Sequence, residues 1–186
     1  FLSSSTEPFV PQESRCGVTR ALLSAMGEAP PDVLIVQTHS HLVLDHLGQL
    51  QALGERCVLR VQVSIETDRE ELPIDARFEA ARRLREAGIE TVVTVSPLLP
   101  IRDEEVFFER IAECADAVVL DHFIGGDGSP SGSRTRRTSL PGKMESLHPG
   151  STELSYRDRM VELARRRLPG RVGVGIDGFA GRYLPD

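Results

Sequence analysis

Polar residues suited to catalysis follow several short apolar runs in this chain of 186 residues. The densest group is T-H-S-H at 38–41, which D-H follows at 45–46. Imidazole and carboxylate groups are the ligands that zinc takes in hydrolytic sites, where the metal activates a bound water. His39, His41 and His46 therefore form a candidate zinc site, and a zinc-dependent hydrolase is one function that the sequence allows.

The spacing of this group differs from that of the zinc hydrolases that it resembles. The T-H-x-H-x-D-H signature of the metallo-β-lactamases has one residue between its second His and its Asp, whereas three residues separate His41 from Asp45 here. Apolar residues at helical spacing over 43–53 also predict a helix, which would contain Asp45 and His46. A zinc site and a chance clustering of histidines both stay open.

The elements that must position such residues are short strands that alternate with helices. Strands begin near residues 33, 58, 91 and 117, at intervals of roughly 30 residues, the length of one βα unit. Repeated βα units predict an α/β fold with a parallel sheet, either open or closed into a barrel, whose functional residues lie at the carboxyl ends of the strands. The predicted strands are 33–36, 58–65, 91–95, 117–120 and 171–176, and the predicted helices are 19–26, 43–53, 75–87, 104–114 and 154–168.

Five segments, in order along the chain, carry a resemblance that covers most of it. They are S-T-E-P-F-V-P-Q-E at 5–13, L-I-V-Q-T-H-S-H-L-V-L-D-H-L at 34–47, V-Q-V-S-I-E-T at 61–67, D-A-R-F-E-A-A-R-R-L-R-E-A-G-I at 75–89 and V-V-T-V-S-P-L-L-P at 92–100. These segments resemble the spore photoproduct lyase-like branch of the radical SAM enzymes, which has T-D-P-x-x-P-x-E, T-K-S and V-S-I-T-T at corresponding places.

The resemblance implies a fold, two cofactors and a class of chemistry. Enzymes of this family have a partial (β/α)6 TIM-like barrel, and the chain would be a single domain over 1–186 that lacks the first β/α unit. A [4Fe–4S] cluster, reduced by an electron donor such as flavodoxin or ferredoxin, cleaves S-adenosyl-L-methionine to a 5′-deoxyadenosyl radical. The resemblance implies this activity for the parent protein, and leaves the substrate, a small molecule or another compound, unknown.

The resemblance also assigns residues to S-adenosylmethionine. Thr6 corresponds to a hydroxyl that meets the methionine amino group, and Ser64 to one that contacts the methionine carboxylate. His39 stands where the family has a Lys that pairs with the same carboxylate, and Arg77 matches an Arg at the start of a helix. The backbone over 95–98 would flank the adenine.

Three departures limit what this chain would do. A neutral His39 holds a carboxylate more weakly than the ammonium group of Lys does. Ser4 replaces the hydrogen-donating Cys of true spore photoproduct lyases, which disfavours that particular reaction. The cluster motif C-x3-C-x2-C is absent: Cys16, Cys57 and Cys114 are far apart in sequence, and we expect the cluster ligands upstream of the first residue.

The role of the whole chain, and that of its later segments, stays open at this point. A barrel without a cluster that acts as a binding module is the non-enzymatic reading of the same pattern. Asp121 and His122 end a predicted strand where substrate would lie, although a strand-end hydrogen bond explains them equally well. The Gly/Ser/Pro-rich segment 125–150 is predicted to be a flexible insertion or a lid, and it contains Arg134, Arg136, Arg137 and Lys143.

The amino-acid composition restricts the binding partners and the cellular compartment that we expect for this chain. The chain has 28 acidic and 22 basic residues and a net charge of −6, which disfavours nucleic acid as the main partner, although a local basic patch stays possible. No apolar run approaches the ~18 residues of a membrane span. An odd number of cysteines without a visible secretory signal fits the reducing cytoplasm.

Overall fold

A computed structural model describes residues 1–2, 6–69 and 74–185. Its centre is a parallel sheet in which each of the five strands lies beside the next one along the chain. At the first edge, Leu2 donates its N–H to the Ile35 carbonyl over 2.7 Å and accepts from the Gln37 N–H over 3.1 Å. The strands are β1 (Val33–Thr38), β2 (Val58–Ser64), β3 (Glu90–Val95), β4 (Ala117–Leu120) and β5 (Val172–Val174).

The predicted α/β class is confirmed, and all five predicted strands are present. β4 is apolar throughout, whereas β1 and β2 combine an apolar face with polar residues on the other face. The last strand is shorter than the predicted 171–176. Gly175 has a φ of 52° and turns the chain directly into a helix.

Five of the helices were predicted, and four short ones within the described residues were not. The predicted ones are α2 (Val18–Glu28), α3 (Leu47–Gly54), α4 (Ile74–Glu86), α5 (Glu104–Cys114) and α8 (Leu154–Arg167). The short ones, with four to eight residues each, do not give a clear helical period: α1 (Glu13–Cys16), α6 (Phe123–Gly126), α7 (Leu140–Leu147) and α9 (Gly175–Phe179).

Capping explains why some helix starts were predictable and others not. α5 begins where predicted because Asp103 is its N-cap, and Asp103 Oδ1 accepts a hydrogen bond of 3.1 Å from the Val106 N–H. The segment before α3 is a 3-10 helix over His41–His46, started by Ser40 Oγ, which accepts from the Leu42 N–H over 3.2 Å. The predicted helix over 43–53 therefore becomes a 3-10 helix followed by an α-helix.

Alternation of side chains gives the sheet two different faces. The helix face carries residues such as Val36, Val61, Val93 and Leu120, all fully buried in the main core with the helices. The opposite face, called here the polar face, carries Gln37, Gln62, Ser64 and Thr94, together with Val92, Ala117 and Val119.

The C-terminal residues cover part of the polar face. Phe179 of α9 and Tyr183 pack against its three apolar residues, and Gln62 Nε2 donates to the Phe179 carbonyl over 3.1 Å. Gly173 of β5 and Gly178 of α9 meet so closely that a Cβ on Gly173 would lie 2.5 Å from Gly178 Cα. Glycine at both positions is what lets α9 approach the sheet.

The segment 125–150, predicted to be a flexible insertion or a lid, contains secondary structure. It includes a 3-10 turn at Thr135–Arg137 and helix α7, in which Met144 is buried with 1 % exposure. The Asp127 carboxylate accepts from the N–H groups of Ser129 (2.9 Å) and Thr135 (2.8 Å). The Gly/Ser/Pro-rich composition of the segment does not predict these local hydrogen bonds or the burial of a single apolar residue of α7.

Membrane-spanning character is not found in this part of the chain: no helix within the described residues is long and apolar enough to cross a bilayer.

Candidate functional site

The carboxyl ends of the strands bring polar residues of the polar face together. Ser64 of β2 pairs in register with Thr94 of β3, and their hydroxyls share a hydrogen bond of 2.9 Å. Glu66 lies two residues after Ser64 and Ser96 two residues after Thr94, so both are on the polar face. Asp121, two residues after Val119 of β4, is on this face as well. Strand alternation thus places a row of hydrogen-bonding groups at this edge.

Glu66 is the centre of the most polar group at this edge. Its Oε1 lies 2.8 Å from His39 Nδ1, and its Oε2 accepts a hydrogen bond of 2.9 Å from Arg77 Nη1. Arg77 lies near the start of α4, and the same Nη1 also donates to the Ser64 carbonyl over 3.0 Å. We call these three side chains the His39–Glu66–Arg77 cluster.

Burial and charge within the cluster determine its protonation. Glu66 and Arg77 are buried, with side-chain exposures of 8 % and 9 %, whereas the His39 side chain is 53 % exposed. Burial alone would raise the pKa of Glu66, but the hydrogen bond to His39 and the charge of Arg77 hold it below its usual value. The hydrogen bond to Glu66 raises the pKa of His39 against the opposing effect of burial.

The outward nitrogen of His39 is the group that the cluster presents. An ionised Glu66 can only accept, so His39 Nδ1 carries a proton and donates to it. His39 Nε2 has no hydrogen-bond partner among the described residues. When the ring is protonated, this atom becomes an exposed cationic N–H donor at the end of β1.

Glu7 is a residue of this edge to which the sequence assigned no role. Its Oε1 accepts from Thr38 Oγ1 over 2.6 Å and from the Phe9 N–H over 2.9 Å, and its Oε2 accepts from the His39 N–H over 2.7 Å. Glu7 thus joins the chain near Phe9 to the end of β1. In the sequence, the only indication of a role for Glu7 at this site is its position directly after Thr6, in the first of the five segments.

The residues assigned by resemblance lie at this edge to different extents. His39 and Arg77 meet through Glu66, and Ser64 contributes its carbonyl to the same group. The Ser64 side chain is fully buried, and its hydroxyl is engaged with Thr94. Thr6 is exposed and lies next to Glu7 in the chain. Ser4 falls outside the described residues.

Asp121 and the turn after β3 hold each other in place. Asp121 donates its N–H to the Val95 carbonyl over 3.1 Å, and its own carbonyl accepts from the Leu98 N–H over 2.7 Å. Its Oδ2 accepts from Ser96 Oγ over 3.2 Å. Burial raises the pKa of the Asp121 carboxyl, against the effect of the Ser96 hydrogen bond. Part of the 95–98 backbone that was expected to flank adenine is therefore bonded to Asp121.

His122 serves the packing on the opposite side of the sheet, and not the substrate region proposed for it. Its ring is buried with 1 % exposure, Nδ1 accepts from the Ile124 N–H over 3.1 Å, and Nε2 lies 3.2 Å from the Ser151 carbonyl. Both ring nitrogens are thus used. Asp121 and His122 differ because neighbouring residues of a strand point to opposite faces.

The three histidines of the zinc hypothesis do not converge. His39 contacts Glu66, the buried His46 contacts Gln49, and His41 is exposed. In residues 1–2, 6–69 and 74–185, no three His, Cys, Asp or Glu side chains are grouped so as to hold a metal ion. The described residues therefore do not fit a zinc site.

The basic residues of 125–150 mainly contact their own segment. Arg134 Nη1 donates to the Asp127 carbonyl over 3.3 Å, and Arg136 Nε donates to the Ser131 carbonyl over 3.2 Å. The guanidinium of Arg136 also lies 5.5 Å from the centre of the Phe123 ring. These contacts explain two of the four basic residues without a phosphate-bearing partner.

Comparison of the chain with protein-family models, with curated proteins and with solved structures finds no match.

Proposed function

We propose that this chain supplies the S-adenosylmethionine-binding part of a radical enzyme of the spore photoproduct lyase-like type. One observation carries the proposal. His39 and Arg77, two of the four residues that the resemblance assigns to S-adenosylmethionine, meet at Glu66 although they lie far apart in sequence, and Arg77 also bonds the carbonyl of a third, Ser64. The meeting point is at the carboxyl ends of two neighbouring strands, where α/β folds bind ligands.

Strand order supports the partial barrel that the proposal requires. The sheet runs β1-β2-β3-β4-β5 without a reversal, and Leu2 adds one more parallel position before β1. A doubly wound sheet needs a point at which the strand order reverses. Right-handed crossovers between strands in sequential order place their helices on one face, as in a barrel wall. The polar face would then line the barrel interior.

The cluster has the chemistry to hold the methionine end of the ligand. A protonated His39 offers Nε2–H to a carboxylate, and the contact with Glu66 favours the charged form of the ring and orients it. Arg77 compensates the buried charge of Glu66, so that the three ionised side chains carry one net positive charge. Bound S-adenosylmethionine would supply the 5′-deoxyadenosyl group, and Asp121 with Ser96 would lie toward the substrate at the same edge.

The cysteines of this chain do not fit the second cofactor. Cys16 is exposed, Cys57 is half-buried and Cys114 is buried, and no metal-holding group forms within the described residues. Burial raises the pKa of the Cys114 thiol to about 12, which makes it a poor thiolate ligand. The ligands of a [4Fe–4S] cluster must therefore be other than these three, and anaerobic reconstitution of this chain with iron and sulfide should give no stoichiometric cluster.

Isothermal titration calorimetry with S-adenosylmethionine tests the proposal directly. We expect saturable binding to the chain, weakened at least about tenfold by His39→Ala, since a charge-assisted hydrogen bond contributes about 1.5–3 kcal/mol. The matched control is His41→Ala, because His41 is exposed two residues away and is outside the cluster. Titration with adenosine and methionine separately shows which end of the ligand is bound.

Two results would contradict the proposal. One is the absence of saturable binding at ligand concentrations up to about 1 mM. A Kd above about 1 mM corresponds to a binding free energy weaker than about 4 kcal/mol. The other is equal weakening by His39→Ala and His41→Ala, which would place the ligand away from the cluster. Binding that depends on His39, in a full-length protein whose encoded sequence has no C-x3-C-x2-C motif, would instead favour the non-catalytic binding module.

A further inference from the structure

A cavity of about 300 Å³ lies between residues 9–14, the start of α2 and the 3-10 helix that follows β1. It shares no residue with the His39–Glu66–Arg77 cluster, and its volume is at the low end for small-molecule sites. Apolar walls and acceptor groups line it together, among them Phe9, Val10, Leu42, Glu13, Asp45 and His46.

The orientation of His46 follows from the hydrogen bonds of Gln49. Gln49 Nε2 donates to the Arg20 carbonyl over 3.1 Å and to Ser24 Oγ over 3.0 Å, which identifies Oε1 as the amide oxygen. That oxygen lies 3.1 Å from His46 Nδ1. In its neutral form, His46 therefore carries its proton on Nδ1, and Nε2 carries a lone pair.

The lone pair of His46 Nε2 is the unusual feature of the cavity. The His46 ring is buried with 4 % exposure and packs on Phe9 with 5.3 Å between ring centres. Its Nε2 has no hydrogen-bond partner among the described residues, although the ring lines the cavity. This nitrogen is not among the buried polar atoms that solvent cannot reach, so its lone pair is accessible, and a ligand in the cavity that donates to it would take the place of a water.

The remaining polar groups of the cavity select for positive charge. Glu13 is buried with 8 % exposure, its Oε1 accepts the Arg20 N–H over 3.0 Å, and Asp45 adds a second carboxylate. Among the described residues that line the cavity, Arg20 supplies the only cationic side chain, so the two carboxylates leave a net negative charge when His46 is neutral. We propose that this cavity binds a small organic ammonium, with its N–H on His46 Nε2 and its apolar body against Phe9, Val10 and Leu42.

Titration of the chain with benzylammonium at about pH 8, where free imidazole is neutral, tests this site. We expect saturable binding by calorimetry, with movement of the ¹⁵N resonance of His46 Nε2 and no movement for His41. Phenylacetate has a similar size and the opposite charge, and we expect it not to bind. The ¹⁵N measurement uses the unaltered protein and so does not depend on whether a variant folds.

The substitution His46→Asn distinguishes the contributions of the two ring nitrogens to binding. The Asn amide can still donate toward Gln49 in place of Nδ1, but nothing replaces Nε2, so benzylammonium should bind at least tenfold more weakly, a loss of about 1.4 kcal/mol. His41→Asn is the control and should bind as the unaltered chain does. Equal binding of phenylacetate or unchanged affinity of His46→Asn would overturn the proposal. Absence of saturable binding up to about 10 mM would also overturn it, because a Kd above 10 mM corresponds to a binding free energy weaker than about 3 kcal/mol.

Discussion

The Nδ1 atom of His39 lies 2.8 Å from Oε1 of Glu66, and this contact couples a half-exposed ring to a buried carboxylate. Each partner favours the charged form of the other, so the pKa of His39 is raised while that of Glu66 is lowered. The contribution of His39 to stability is complete below the unfolded pKa of about 6.5 and is lost as pH rises through its raised value. That of Glu66 is complete above about 4.5 and is lost as pH falls through its lowered value.

Glu66→Gln should lower the pKa of His39, because it replaces the anionic acceptor by a neutral amide. Histidine ¹H–¹³C NMR spectra recorded against pH measure this directly, and His41 in the same spectra is the internal reference, since it lies outside the cluster. We expect the His39 titration to move to lower pH and that of His41 to stay in place. An unchanged His39 midpoint would show that the contact with Glu66 does not form in solution.

Arg77→Met should reduce the free energy of unfolding by about 3–5 kcal/mol, the cost of leaving one partner of a buried ion pair uncompensated. Both partners are buried here, and Arg77 also bonds the Ser64 carbonyl. Urea unfolding measures the loss. The second substitution Glu66→Leu in the Arg77→Met background should restore much of it, because the uncompensated charge is then removed as well.

The control for this prediction is Arg82→Met, which removes another Arg of the same helix. Arg82 is exposed and pairs with Glu79 and Glu86 one turn away on either side. Exposed pairs are screened by solvent, so its loss should change the urea midpoint far less. Equal effects of the two substitutions would show that burial of the Arg77–Glu66 pair contributes nothing.

The sequence predicted the strands of this fold better than its short helices. Runs such as 33–36 and 117–120 are apolar at every position, whereas apolar and polar residues alternate over 58–65, and both patterns depend only on local composition. By contrast, α9 packs on β4 and β5 through Gly173 and Gly178, which are nearby in sequence but carry no helical period. A contact made possible by the absence of side chains leaves no hydrophobic pattern to detect.

For the candidate site, sequence reasoning found the edge of the sheet but not the residues that organise it. The resemblance points to His39 and Arg77, whereas no pattern in the sequence marks Glu66, which joins them. Glu7 was missed for the same reason. A buried carboxylate is recognisable only when the cations and N–H groups around it are known, and these come from distant parts of the chain.

Gly178→Ala should destabilise the fold by about 1–3 kcal/mol, the usual cost of overpacking. A Cβ at this position would lie 2.7 Å from the Gly173 carbonyl carbon and 2.8 Å from Val119 Cγ1, where neither the backbone nor the buried valine can easily move. Thermal and urea unfolding measure the effect. Gly48→Ala is the control: a Cβ there meets nothing within 4 Å, and Ala favours the helical backbone of α3 by about 1 kcal/mol. A stabilising effect at both positions would show that α9 does not rest on β5.

Replacing the titratable ring of His122 should change how the free energy of unfolding depends on pH. Burial lowers the pKa of this ring, assisted by the charges of Arg157 and Arg136 and opposed by the hydrogen bond to Ser151. The unfolded chain therefore binds a proton more readily than the folded one, and the contribution of His122 is complete above about pH 6.5 and is lost as pH falls toward its lowered value.

His122→Asn keeps an acceptor for the Ile124 N–H, as Asn is a good N-cap, but it cannot titrate. In urea unfolding at about pH 8, 6.5 and 5, we expect the advantage of the unaltered chain over His122→Asn to shrink as pH falls, because only the histidine form bears the cost of excluding a proton. An advantage that is the same at all three pH values would mean that the ring is not held neutral in the folded protein.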